Sequence, residues 1–113
     1  MTHNSVVSGE VFAKIVSGQT VIEPRLNDVA HQAVKIGDLI LFVNRETHKE
    51  QLAKVTGLLR FGNFDRLFSA YPPERFGAKS HQELLREAQR LYSPKQEAEH
   101  GVLGIKVHVL KRS

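Results

Sequence analysis

Two stretches far apart in the chain alternate apolar and polar side chains with a period of two, and neither can fold alone. In QLAKVTGLLRF, residues 51 to 61, Ala53, Val55, Gly57, Leu59 and Phe61 fall on one face, with Lys54, Thr56 and Arg60 on the other. In VLGIKVHVL, residues 102 to 110, Leu103, Ile105, Val107 and Val109 share a face opposite Lys106 and His108. This alternation is that of a half-buried strand. Helical signals separate the two stretches, so the closing strand must return to a sheet begun earlier. Gly57 interrupts the first alternation and is a candidate bend or bulge.

The remaining elements follow from spacing and punctuation. Val11, Phe12, Ile15 and Val16 recur at helical intervals behind Ser8, with Glu10 in the first turn and Gly18 at the stop. A charged strand follows, then a connector over residues 29 to 37. DLILFVN, residues 38 to 44, is almost wholly apolar and reads as a central strand covered on both faces. RETHKE is a polar turn. Asn63 opens a short helix carrying Phe64, Leu67, Phe68 and Tyr71, stopped by Pro72 and Pro73, and YPPERFGAK is a loop. Ser80 and Glu83 form a capping-box pattern ahead of a helix over residues 81 to 92. Ser93, Pro94 and Gln96 start another that closes at His100-Gly101.

The predicted order is helix, three strands, three helices, strand. An α+β fold follows, a small mixed or antiparallel β-barrel with flanking helices, with a flat α+β sandwich as the alternative. A length of 113 residues suits one domain over 1–113, and 41% apolar with 25% charged residues excludes disordered, collagenous and coiled-coil classes. There is no cysteine, which removes disulfides, thiolate metal sites and thiol nucleophiles. The longest apolar run is Leu39 to Val43 and the first residues carry no basic leader, so no membrane association and a cytoplasmic location are expected. A net charge of +4 favours a polyanionic partner.

Standard catalytic signatures are absent. His3, His31, His48, His81, His100 and His108 show no metal-ligand spacing, so no metal site is expected. No glycine-rich phosphate loop, dinucleotide fingerprint or serine-hydrolase elbow occurs, so no cofactor is expected either. What remains unexplained is SGQTVIEPRLND, residues 17 to 28, which puts Glu23, Arg25, Asn27 and Asp28 into an extended segment with Pro24 in its middle. A strand so charged lies at a sheet edge or faces something that wants charge. Proline fits an edge or bulge, where its missing N–H breaks no central ladder.

Phe12, Ile15, Gly18, Thr20, Glu23, Arg25 and Asp28 are ordered as in the ASCH domains, small barrels of the PUA-like class. Ile36-Gly37-Asp38-Leu39-Ile40 with Phe42, Asn44 and Arg45 extends the match, as do FDRLF, Glu74-Arg75-Phe76-Gly77, Leu91-Tyr92-Ser93 and GVLGIKV. The chain thus resembles an ASCH domain over nearly its whole length. The resemblance implies a PUA-like barrel that binds RNA, or a nucleoside or nucleotide ligand, in a cleft beside it. On that reading the ligand residues are Gly18, Gln19, Thr20, Glu23, Arg25, Asn44, Arg45 and Tyr92.

Some members of that family remove the acyl group from N4-acetylated cytidine, and others are associated with ribonuclease activity. The amidohydrolase set is a lysine two residues after the motif glycine, a threonine three further on, and a glutamate early in the long helix. These positions hold Thr20, Glu23 and Glu83 here, so two of the three identities differ. If the chain is an enzyme, Glu23 would serve as base toward a water, with Arg25 stabilising negative charge.

Each residue also has a plainer explanation. Gly18 terminates a helix, Glu23 and Arg25 pair on a solvated edge, and Glu83 caps its helix through Ser80. Asn44 makes a turn, Tyr92 belongs to the core, and Lys49, Lys54 and Arg60 line either a solvated sheet face or a phosphate track.

Overall fold

The computed structural model describes residues 1–110. Strands β1 (Thr2–Val7), β2 (Ile22–Leu26), β3 (Leu39–Asn44), β4 (Glu50–Phe61) and β5 (Val102–Val109) combine with helices α1 (Gly9–Val16), α2 (Val29–Gln32), α3 (Phe64–Ala70), α4 (His81–Leu91) and α5 (Pro94–His100) in the order β1-α1-β2-α2-β3-β4-α3-α4-α5-β5. A single 3-10 turn, Pro73–Arg75, lies between α3 and α4. The strands form one mixed sheet in the order β1-β3-β4-β5-β2. β1 runs parallel to β3, and every other neighbouring pair is antiparallel. The sheet curls until its two edge strands, β1 and β2, are joined by one side chain, Arg25 Nη2 donating to Ser5 Oγ at 3.0 Å. The result is the α+β, PUA-like half-barrel with flanking helices.

Strand β1 was not foreseen, and its composition explains why. The register sets His3 beside Ile40, Ser5 beside Phe42 and Val7 beside Asn44, so two polar residues point to the inner face. Both are satisfied there by partners distant in sequence. His3 Nε2 lies 2.8 Å from Asp38 Oδ2, and Ser5 receives Arg25. Asp38 also accepts from the Lys35 backbone N–H and meets the Met1 ammonium. The hydrogen bond from His3, then that from Lys35, hold its carboxyl at a pKa of about 2.

The long strand β4 turns over at its glycine. Val55 pairs with Val107, yet Gly57 pairs with Lys106, so Thr56 and Gly57 together oppose one residue. This bulge reverses the alternation. Val55 and Leu58 pack on the inner core, while Leu59 and Phe61 pack on the outer one. The single apolar face expected for Ala53 to Phe61 is therefore split between two cores, and Arg60 is carried to the face opposite Lys54.

The inner core lies within the curl, where α1 inserts Phe12 and Ile15 against Ile40, Phe42, Val55, Leu103 and Ile105. The outer core lies between the convex face and the helices, where Phe64, Leu67, Phe68, Leu84 and Ala88 cover Ile22 and Val102. Ile15, Ile22, Leu67 and Phe42 are essentially inaccessible, and each stabilises the fold by about 2 kcal/mol through removal from water. β3 is interior but stands next to edge strand β1, and only Ile40, Phe42 and Asn44 are fully buried. Its other face is half-covered, a departure from the doubly buried central strand its composition suggests.

Local capping chemistry fixes the helix boundaries. Ser8, Asn63, Ser80 and Ser93 accept hydrogen bonds from the first turns of α1, α3, α4 and α5. Asp28 caps α2, one turn of helix within the expected connector, accepting from His31 N at 3.0 Å. Gly18 adopts φ +83° after α1, and Gly101 φ +69° after α5, conformations that glycine adopts at little cost.

Candidate functional site

The convex face is covered by α3 and α4 at one end and is open at the other, and the open end forms a groove of about 530 Å³. Its floor is β4 and β5, which contribute Thr56, Lys106, Val107 and His108. One wall is the turn after α1, with Gly18, Gln19 and Val21, and the other is the 3-10 turn, with Glu74 and Arg75. Three cationic or protonatable side chains thus meet one carboxylate across a partly apolar floor.

Backbone bonds hold the two walls together. Val21 N donates to Arg75 O at 2.9 Å, and Thr20 bridges to Phe76. Thr20 Oγ1 also donates to Phe76 O at 3.5 Å, and the residue is 4% exposed. Beneath it Gly77 has φ +78°, and a Cβ there would collide with Thr20 Oγ1. The family's lysine position is therefore a closely packed threonine that fastens the loop to the turn, lying below the groove.

Glu23 and Arg25 lie elsewhere. In the register of β2 with β5 they oppose Ile105 and Leu103, which belong to the inner core, while Ile22 belongs to the outer. Glu23 Oε1 is 3.2 Å from Arg25 Nη2, and Arg25 continues to Ser5. Burial pushes the Glu23 carboxyl above its usual range, with the Arg25 guanidinium opposing in part. The pair is not on a solvated edge, because Glu23 is 7% exposed. It occupies the seam between the sheet's edges, on the opposite side of β2 from the outer-core residue Ile22.

The other expected ligand residues are dispersed. Asn44 Oδ1 accepts from Glu46 N at 2.9 Å and Thr47 N at 3.3 Å, shaping the β3–β4 turn. Arg45 N donates to Val7 O, which ties that turn to β1, and its side chain is exposed there. Tyr92 stacks on Phe64 with ring centroids 5.5 Å apart. Glu83 caps α4 one residue earlier than expected, since its Oε2 accepts from Lys79 N at 3.2 Å while Ser80 Oγ accepts from Glu83 N. Among the described residues no hydrogen bond joins any two of Thr20, Glu23 and Glu83. Of the residues named from sequence, the groove brings together only Gly18 and Gln19, with Thr20 directly below.

Glu74, Arg75, Lys106 and His108 were not anticipated as site residues. The available signal was the outward alternation of Lys106 and His108 on the closing strand, which matches that of Lys54 and Thr56. Among the described residues no cluster of three metal-ligating side chains occurs, and no helix is long and apolar enough to cross a membrane.

A curled mixed half-barrel sheet with helices on its convex face is the architecture of a PUA-like fold. The particular fold within that class is the ASCH fold. The ASCH protein of Zymomonas mobilis superposes with a TM-score of 0.69 over 95% of this chain and 66% of its own, at 14% identity. Higher similarity is found to hypothetical protein PH0355, with 27% identity, a TM-score of 0.86, and coverage of 97% of this chain and 100% of that one. Protein PF0455 from Pyrococcus furiosus is 25% identical with a TM-score of 0.80, over 99% and 100% of the two chains. No family model and no curated protein matches the sequence.

Proposed function

We propose that this ASCH-fold protein binds RNA or a nucleotide-like ligand, taking an unstacked base or modified nucleoside into the groove between the glycine turn and the outer face of β4 and β5. The observation that carries this reading is the convergence of Arg75, Lys106 and His108 on a groove whose remaining polar groups are Gln19, Thr56 and Glu74. A volume of about 530 Å³ falls in the range of small-ligand sites. Bases held outside a helix are read on their hydrogen-bonding edges while cations meet the backbone. Gln19 and Glu74 suit the first task and the basic side chains the second. The net charge of +4 assists encounter with a polyanion.

The amidohydrolase reading draws less support from the arrangement. The Thr20 hydroxyl is engaged by Phe76, Glu83 caps its own helix, and Glu23 is paired in the seam. The test is a chemical-shift titration of labelled protein with short single-stranded RNAs and with free nucleosides, modified and unmodified. Binding in the groove moves the amides of Gly18, Gln19, Lys106 and His108. Shifts confined to the β3–β4 turn or to the α3–α5 side would remove the groove from the reading.

A further inference from the structure

We infer that Lys106 and Arg75, with His108 beside them, form a phosphate subsite within this groove, so that its ligand is a nucleoside phosphate or an RNA phosphodiester and not a free nucleoside. The inference rests on the groove being the ligand site. Its first support is the pairing of charges. Lys14, Arg25, Arg90, His3, His31, His81 and His100 each have a carboxylate within 4 Å. Among the described residues, Arg75, Lys106 and His108 are in no such pair, a state they share with other surface cations such as Arg45, Lys49 and Arg60, and what sets them apart is that they line one groove together. Lys54, opposite His108 in the β4–β5 register, adds a further cation on the same face.

The second support is the way the lysine is aimed. At the bulge Thr56 and Gly57 face Lys106 together, and a Cβ on Gly57 would stand 2.8 Å from Lys106 Cδ and 3.4 Å from its Cβ and Cγ. The missing methyl is the space in which the lysine stem lies flat on the sheet. The stem is thereby held against the groove floor as far as its Cδ. Arg75 is anchored through its backbone, its N–H donating to Pro72 O at 3.1 Å and its carbonyl accepting from Val21 N at 2.9 Å, and its exposed side chain leaves from that anchored turn. One cation on the floor and one on the wall beside it suit a phosphate, the guanidinium supplying paired donors and the ammonium a point charge. The single groove carboxylate, Glu74, is left to accept from a base N–H.

Calorimetric titration of the full chain with the four ribonucleosides, their 5′-monophosphates, inorganic phosphate and a short single-stranded RNA tests this. The monophosphate of the preferred base should bind about tenfold or more tightly than its nucleoside, the effect of one or more charge-assisted contacts. Lys106→Gln or Arg75→Gln should abolish most of that advantage. If the natural ligand is polymeric, RNA binds where mononucleotides do not, and each variant lowers the salt dependence of RNA affinity by about one ion. Nucleoside and monophosphate binding equally, with both variants unaltered, would overturn the phosphate subsite and leave the groove as a nucleoside site. Monophosphates and RNA bound with unchanged affinity by both variants would place the phosphate elsewhere and likewise overturn it. No binding by any probe would overturn the groove reading itself.

Discussion

Arg25 Nη2 on β2 donates to Ser5 Oγ on β1 at 3.0 Å, and the strands so joined are the two opposite edges of one sheet. The same guanidinium nitrogen lies 3.2 Å from the buried Glu23 carboxylate. The charged middle of SGQTVIEPRLND is therefore a seam that finishes the curl of the barrel. Pro24 sits on that edge strand, opposite Gly104 of β5, where a strand with a free side tolerates its missing donor.

Removing Arg25 should cost more than a hydrogen bond. Arg25→Ala leaves Glu23 buried without its counter-charge and is expected to destabilise the fold by about 3 kcal/mol. Ser5→Ala deletes only one acceptor and should cost about 1 kcal/mol. Urea unfolding measures both, and hydrogen exchange at the β1 amides should quicken in each variant. Equal small losses in the two would mean that the guanidinium does not hold the seam.

Gly77 and Thr20 should be energetically coupled. Gly77→Ala meets both an unfavourable φ of +78° and the Thr20 hydroxyl, a combined cost of about 3 kcal/mol. In a Thr20→Ala background the collision is relieved and the cost should fall by about 1 kcal/mol, the remainder being backbone strain. A double-mutant cycle showing strict additivity would contradict the contact.

Acid should loosen the start of the chain through Asp38. Its carboxyl is held at about 2 against an ordinary 3.8, so the folded state binds a proton less readily than the unfolded one. The contribution is complete above about pH 4 and is lost as pH falls toward 2. Stability measured by urea from pH 5 to 2 should decline less steeply in Asp38→Asn than in the parent. Parallel profiles would show that this carboxylate is not linked to folding.

What the sequence made legible follows how local each cause is. Ser8, Asn63, Ser80, Ser93, Gly18 and Gly101 mark element ends through contacts within a few residues, and the structure places them there. β1 was hidden because His3 and Ser5 point inward toward Asp38 and Arg25, partners that only the tertiary fold supplies. Gly57 was marked as a bend, but the reversal of alternation behind it depends on pairing with Lys106. The same gap separates the expected site from the observed groove. Glu23 and Arg25 share a strand face as their spacing requires, yet which face meets the inner core is decided by β5. Asn44, Arg45, Tyr92 and Glu83 matched motif positions, yet Asn44 and Glu83 are engaged by their own turn and cap, Tyr92 stacks on Phe64, and the Arg45 backbone is tied to β1.

Restoring the lysine of the amidohydrolase pattern should damage the fold without creating that chemistry. Thr20 is 4% exposed, its hydroxyl bonded to Phe76 O and its neighbour Gly77 without room for one added carbon. Thr20→Lys must place a longer stem and a charge in that space, and overpacking alone costs about 2 kcal/mol. The loop carrying Glu74 and Arg75 would be pushed off the glycine turn, opening the groove. Expected outcomes are a lowered urea midpoint, weaker ligand binding in the groove, and no release of acetate from N4-acetylcytidine. A variant as stable as the parent that hydrolyses N4-acetylcytidine would show that Thr20, Glu23 and Glu83 frame a catalytic site after all. The chain would then be a hydrolase scaffold in which the lysine alone is decisive and Glu23 stands in for the family's threonine, and the groove reading would have to yield to it.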